Sequence, residues 1–291
     1  MRNVRIAIWL VVAILTMSVS AQAALLDFVL TGNEHLDVTT HYSYGHLWDF
    51  STANVLSGGI ENTYVNDEAT LNISGGSSGW LYAYNNSVAN VSGGNVGTSR
   101  AYNRSTVNIF NDGIVRGLLT DDISTANISG GSMSSLVAEG SSIVNMSGGS
   151  MSSLDAYESS TVHIAGGSMY VLKVYGSSTA DISGGSVYSQ LDASNSSTVN
   201  ISGGSVHILD AYHSSTVIFN GYDFVLGNGL SWDIDGKTIL GTGILTGKWF
   251  DDTSFEIPIG NHYSTATIMA IPEPATLLLL GLGALMLRRR H

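Results

Sequence analysis

The chain has 291 residues, 34 glycines, 3 prolines and no cysteine, with 12% charged and 44% apolar residues and a formal net charge of −12. That apolar share argues against a disordered chain, and zero cysteines exclude disulfides, thiolate metal sites and a cysteine nucleophile. With 11 Lys and Arg against 23 Asp and Glu there is no basic face for phosphates, so no nucleic-acid partner is expected.

Residues 1–23 begin with Arg2 and Arg5, run apolar from Ile6 to Met17 and end on Ala21-Gln22-Ala23. A basic start, a short apolar run and a small-x-small site predict a secretory signal peptide. The run is shorter than the ~20 residues a bilayer core demands. The mature chain is expected to start near Ala24 and fold outside the cytoplasm. Residues 24–50 alternate only briefly, with Leu36 and Val38 inward around Asp37, and read as a short N-terminal β cap. His35, His41 and His46 fall there without the HExxH spacing of a zinc hydrolase and read as surface histidines, so no metal site is expected.

Residues 51–219 are a repeat. Apolar residues recur at Val55, Ile73, Val91, Ile109, Ile128, Met146, Ile164, Ile182, Ile201 and Phe219, at intervals of 18 or 19. The unit STVNISGGSVHILDAYHS (197–214) shows the logic. Val199 and Ile201 alternate with Thr198, Asn200 and Ser202, as in a half-buried strand. Gly203-Gly204 turns the chain, and a second strand follows with Val206, Leu209 and Ala211 inward. Asn111-Asp112-Gly113 replaces Ser-Gly-Gly in one coil, so the turn persists while its residues change. An 18-residue coil cannot bury its own apolar edge and must stack on its neighbours. The left-handed hexapeptide helix fails, because His207 and His213 occupy the places six and twelve after Ile201. The expected fold is all-β: a parallel β-solenoid of about ten coils, right-handed, with two or three unequal sheets, capped at each end.

Repetition turns each outward position into a column. Asn54, Asn72, Asn90, Asn108, Asn127, Asn145 and Asn200, with His163 and Asp181 substituting, read as a stabilising amide stack. The threonine column beside it is similar to the ice-binding faces of some antifreeze proteins, but asparagine and serine dilute it. Tyr84, Tyr102, Tyr157, Tyr175 and Tyr212, interrupted by Glu139 and Ser194, form the candidate ligand-contact column, since tyrosine offers an apolar face with a hydroxyl tip. Asp155, Asp192 and Asp210, with Lys173 among them, lack the order of a calcium motif and read as solvated surface. Asp121-Asp122 beside Arg116 is the strongest acidic cluster, too little to predict an active site or a cofactor.

Residues 220–270 leave the period, and Trp232, Ile234, Ile239, Ile244, Leu245, Trp249 and Phe250 with turn glycines predict short antiparallel strands closing the C-terminal end. In residues 271–291, Pro272-Glu273-Pro274 precedes a Leu/Gly-rich apolar stretch and then Arg288, Arg289 and Arg290. A basic end of this kind holds a tail at the inner face of a membrane.

This order of parts resembles the PEP-CTERM sorting signal of Gram-negative bacteria that make exopolysaccharide. The resemblance covers the tail alone. It implies an exosortase as processing partner, a transient inner-membrane anchor through this segment only, removal of the tail, and delivery to the cell surface or extracellular matrix. The Ser/Gly-rich repeats with a β cap before the tail are similar to autotransporter-like surface proteins. A structural or adhesive protein among extracellular polysaccharide in a biofilm is the expected function, and a β-helical polysaccharide lyase or hydrolase the alternative. From Ala24 to Ala270 there are 22 acidic and 6 basic residues, so the mature chain carries −16.

Overall fold

A computed structural model describes residues 26–262 and 265–272. The expected signal peptide lies outside the described residues, as does the sorting tail beyond Pro272. The described chain is a parallel β-solenoid of about 11 turns. Thr52–Val55 stacks on Thr70–Ile73, which stacks on Val88–Val91 and then Thr106–Ile109, each residue opposite its equivalent one coil away. The same register continues through Ile128, Met146, Ile164, Ile182 and Ile201 to Phe219. Every member of that column is buried, and together they form the spine of one continuous core.

Local sequence explains the cross-section. In Thr198–Ile201 the alternation holds, with Val199 and Ile201 inward. In Ser168–Val174 it breaks: Met169 and Leu172 are both buried although three apart, while Tyr170 between them is exposed. A strand of period two cannot do this without bending, so the second half of each coil divides into a short face and a longer one. The coil thus has three unequal faces.

Two corners set these faces. At the Gly-Gly corners from Gly75-Gly76 to Gly203-Gly204 the second glycine has positive φ, as at Gly204 (78°), and the first packs on the coil below. A Cβ on Gly203 would lie 2.2 Å from the Ser183 carbonyl oxygen. In the Asn-Asp-Gly coil the left-handed residue is Asn111 (φ 51°), which moves the turn without losing it. The opposite corner also uses a left-handed residue: Asp49, Asp67, Asn85, Asn103, Asp122, Glu158, Asn195 and His213, with glycine at 140 and 176. Sequence reading missed this column. Just beyond it lies a column of buried serines, among them Ser105 and Ser124, whose hydroxyls donate to the Ala83 and Ala101 carbonyls at 3.1 Å.

The N-terminal boundary needs correction. Residues 35–47, expected within a separate cap, form one more coil, because His35–Val38 pairs in parallel with Thr52–Val55 and His41–Leu47 with Gly59–Val65. Among the described residues Leu26–Leu30 is the one strand that precedes it, paired with His41–Leu47.

The C-terminal cap mixes directions. Ser254–His262 and Thr267–Pro272 run parallel to the last coil, continuing the stack on Leu209–Ala211 and Thr216–Gly221. Antiparallel pairings of Gly243–Lys248 with Ser254–Ile259, and of Thr238–Ile239 with Ile268–Met269, close the end. Ile239, Leu245 and Trp249 of the expected cap residues are buried, whereas Trp232, Ile234, Ile244 and Phe250 face solvent. Trp249 stacks on Phe255 at 4.0 Å and also lies near Phe219, and its Nε1 donates to the Gly204 carbonyl at 3.1 Å. An aromatic plug therefore covers the last rung of the core.

Candidate functional site

The longest outward face carries three parallel columns, two residues apart along each strand. The corner column holds the tyrosines singled out in the sequence. Tyr84 and Tyr102 stack with centroids 5.3 Å apart, and Tyr157 and Tyr175 at 5.4 Å. Tyr212 donates its hydroxyl to Asp210 at 3.2 Å and receives the Asn261 amide at 3.3 Å. Burial pushes the Tyr84, Tyr175 and Tyr212 hydroxyls above their ordinary range, so they remain donors at neutral pH. An open groove of about 620 Å³ runs along Glu139, Tyr157, Glu158, Tyr175, Gly176 and Asn195.

The middle column was only half recognised from sequence. Register joins His46, Tyr64, Tyr82, Arg100, Leu119, Val137, Asp155, Lys173, Asp192 and Asp210 into one line. His46, Tyr64 and Tyr82 stack nearly parallel at 4.8 and 5.0 Å. Trp80 and Tyr84 flank Tyr82 along the strand at 6.2 and 6.5 Å, and Trp80 is 43% exposed. One half of the face is thus a two-dimensional aromatic sheet. Arg100 at its edge donates to the Tyr102 hydroxyl and has no carboxylate partner among the described residues.

The other half is ionic and is not simply solvated. Lys173 lies 4.0 Å from Asp155. Burial pushes the Asp155 carboxyl up, against the pull of Lys173. Asp192 is pushed up by burial first and by the neighbouring Asp210 charge second. Asp210 is buried and ties the cap to the coil, accepting from Gln190 Nε2 at 2.6 Å and from the backbone and side-chain amides of Asn261. That role corrects the expectation of a solvated aspartate row. An acid whose folded pKa is raised opposes folding while ionised, so its cost falls as pH drops through the raised value toward the ordinary Asp range. Asp192→Asn is therefore expected to raise the thermal midpoint at about pH 7, with the gain shrinking toward pH 4. Equal midpoint shifts at both pH values would contradict this.

On the opposite face the asparagine column is a continuous amide chain. Asn72 donates to Asn54, Asn90 to Asn72, Asn108 to Asn90, Asn127 to Asn108 and Asn145 to Asn127, at 2.8–2.9 Å. Its amides are spent on one another, as the structural reading expected. Val88 and Ile143 interrupt the threonine column. Asp121 and Asp122 are also committed: Asp121 accepts from the Asp122 amide, and Asp122 accepts from the Asn103 backbone and side chain. His35 bonds Asp37 and Asn54 while His46 stacks on Tyr64, so the three N-terminal histidines do not converge. Among the described residues no group of three or more His, Asp or Glu side chains is placed to hold a metal ion. No helix among them is long and apolar enough to cross a membrane.

Comparison with protein families matches residues 270–290 to the PEP-CTERM protein-sorting motif. That match contains Pro272, Glu273, Pro274, Arg288, Arg289 and Arg290, and it marks the chain for export, exosortase processing and sorting to the cell surface. Neither the curated proteins nor the solved structures contain a significant match to the chain.

Proposed function

We propose, from a PEP-CTERM tail on a stiff acidic solenoid, that the exported chain is a non-enzymatic structural and adhesive element within the extracellular polysaccharide of a Gram-negative biofilm. The sorting motif on a rod of repeated columns is the observation that carries this reading. Stacked coils hold each side chain at a fixed spacing, so weak contacts recur along the rod and add through multivalency. The corner tyrosines Tyr84, Tyr102, Tyr157 and Tyr175 supply apolar area with a hydrogen-bonding tip, suited to sugar rings. The net charge of −16 favours solubility where those contacts are absent. The competing lyase or hydrolase reading needs a free acid–base pair, and the Asp121-Asp122 cluster is instead held in the corner turn.

The mature chain, residues 24–270, is expected to be retained on the producing organism's exopolysaccharide. Changing the four corner tyrosines to alanine should cut retention at least tenfold. No retention, or retention indifferent to those changes, overturns the adhesive role. Release of reducing ends or unsaturated sugars by purified protein overturns the non-enzymatic one.

A further inference from the structure

The middle column of the long face reads as its own complement when reversed. Counting coils from His46, the fourth place is Arg100 and the seventh Asp155, the third Tyr82 and the eighth Lys173, the second Tyr64 and the ninth Asp192. The centre is Leu119 beside Val137. A second copy laid face to face, related by a two-fold axis along the strand direction, exchanges these places. We propose that two copies of this chain pair in that way, as an antiparallel homodimer through the long face.

Each opposition is chemically matched. Arg100 meets Asp155 of the other copy, and the guanidinium has no acid of its own to leave. Lys173 meets the Tyr82 ring in a cation–π contact. The Tyr64 hydroxyl meets the Asp192 carboxylate, and Leu119 packs on Val137 at the two-fold. In the neighbouring column the central residues are Gly117 and Ser135, small enough for the faces to close. Asp210 takes no part, being committed to the cap.

Other arrangements are worse. Parallel rods with equivalent coils opposed would set Arg100 against Arg100 and Asp155 against Asp155. A reversed register shifted one coil one way would bring Arg100 onto Lys173, and shifted the other way it would set Arg100 against Val137 and Asp121 against Asp121. Like-charge opposition of this kind discriminates between registers. The matched register has one such opposition, Asp121 against Glu139 in the corner column, at the solvated rim where salt screens it. Eight coils at about 4.8 Å and three columns at about 6.6 Å cover roughly 700–800 Å² per copy, the size of a stable interface. The isologous form also closes, so it gives dimers and not filaments. The pairing covers the corner tyrosines as well, so the dimer and the sugar-bound chain are alternative states of one face, and self-association is measured without polysaccharide.

Sedimentation velocity on the mature chain at physiological salt tests it. The wild type is expected to dimerise in the micromolar range or below. Arg100→Asp and Asp155→Arg should each weaken self-association at least tenfold, with circular dichroism showing that both remain folded. Mixing those two variants should restore a dimer, because each then supplies the charge the other lacks. Leu119→Arg, which places charge at the apolar centre, is a second probe should either charge-reversal variant unfold, and it should also give monomers. A monomeric wild type at 100 µM, a dimer unmoved by Arg100→Asp and Leu119→Arg, or no recovery on mixing two folded variants overturns the pairing.

Discussion

Trp249→Ala is expected to cost about 3–5 kcal/mol, the range for deleting a buried aromatic, and to make the protein aggregate. The side chain is 2% exposed, stacks on Phe255 and holds the Gly204 carbonyl through its ring nitrogen. Removing it opens a cavity over Phe219 and leaves that carbonyl without its donor. It also loosens the cap over the last coil, and an uncovered strand edge is a template for other chains. Urea unfolding should show the loss and light scattering the association. Phe250→Ala next door is the control: its ring is 46% exposed, and a change within about 0.5 kcal/mol is expected. Equal effects at the two positions would mean that the aromatic plug is not what seals the end.

Gly184→Val should be as damaging in mid-rod, by roughly 3 kcal/mol or more, because overpacking there has nowhere to relax. A Cβ at this position would lie 2.3 Å from the Ala165 carbonyl oxygen, a backbone atom of the coil below. Coils must separate to admit it, and separation breaks the parallel ladders on either side. In a quasi-one-dimensional stack each coil is stabilised chiefly by its neighbours, so the damage should concentrate near the break. Hydrogen exchange is the discriminating measurement: fast exchange in residues 160–204, with protection kept near residues 70–110, is expected. Gly32→Ala, where no atom lies within 4 Å but φ is +60°, should cost only about 1–2 kcal/mol from the left-handed backbone. Uniform loss of protection along the whole rod would show that the stack unfolds as one unit.

Much of this architecture is legible in the amino-acid order, for a physical reason. Val199 and Ile201 alternate with polar neighbours because one side of that strand is core, and Gly203-Gly204 recurs because no side chain fits between coils at that corner. The first coil hid because His35 aligns with Thr52, 17 residues on, and because it has no Ser-Gly-Gly corner. The second corner hid for a different reason. Asp49, Asn85, Glu158 and His213 share a backbone conformation and not a chemistry, so composition does not connect them.

The middle column of the long face is the feature least legible in the amino-acid order. It changes character along the rod, aromatic up to Tyr82, apolar at Leu119 and Val137, and ionic from Asp155 on. Read by residue type, it is an acidic row alone, with Tyr64 and Tyr82 unassigned. Only the register shows that the acids and the rings are one line. In the corner column Tyr84 stacks on Tyr102 and Tyr157 on Tyr175, Asp121, Glu139 and Ser194 interrupt the series, and Tyr212 bonds Asp210.

The amide chain on the opposite face gives the rod a direction that its net charge does not. Every bond from Asn145 to Asn54 is donated toward the N-terminus, so the side-chain dipoles add as peptide dipoles do in a helix. The positive end meets Asp37, which accepts from Asn54 at 2.9 Å, and that bond, with His35 beside it, holds the carboxyl below the ordinary Asp range. A carboxylate can only accept, so this one residue fixes the sense of every amide above it. Reversing any single amide would set two NH₂ groups together at one neighbour and two oxygens at the other. The rod consequently has an electrical head and tail on this face, oriented by an acid at its first coil much as an N-cap orients a helix.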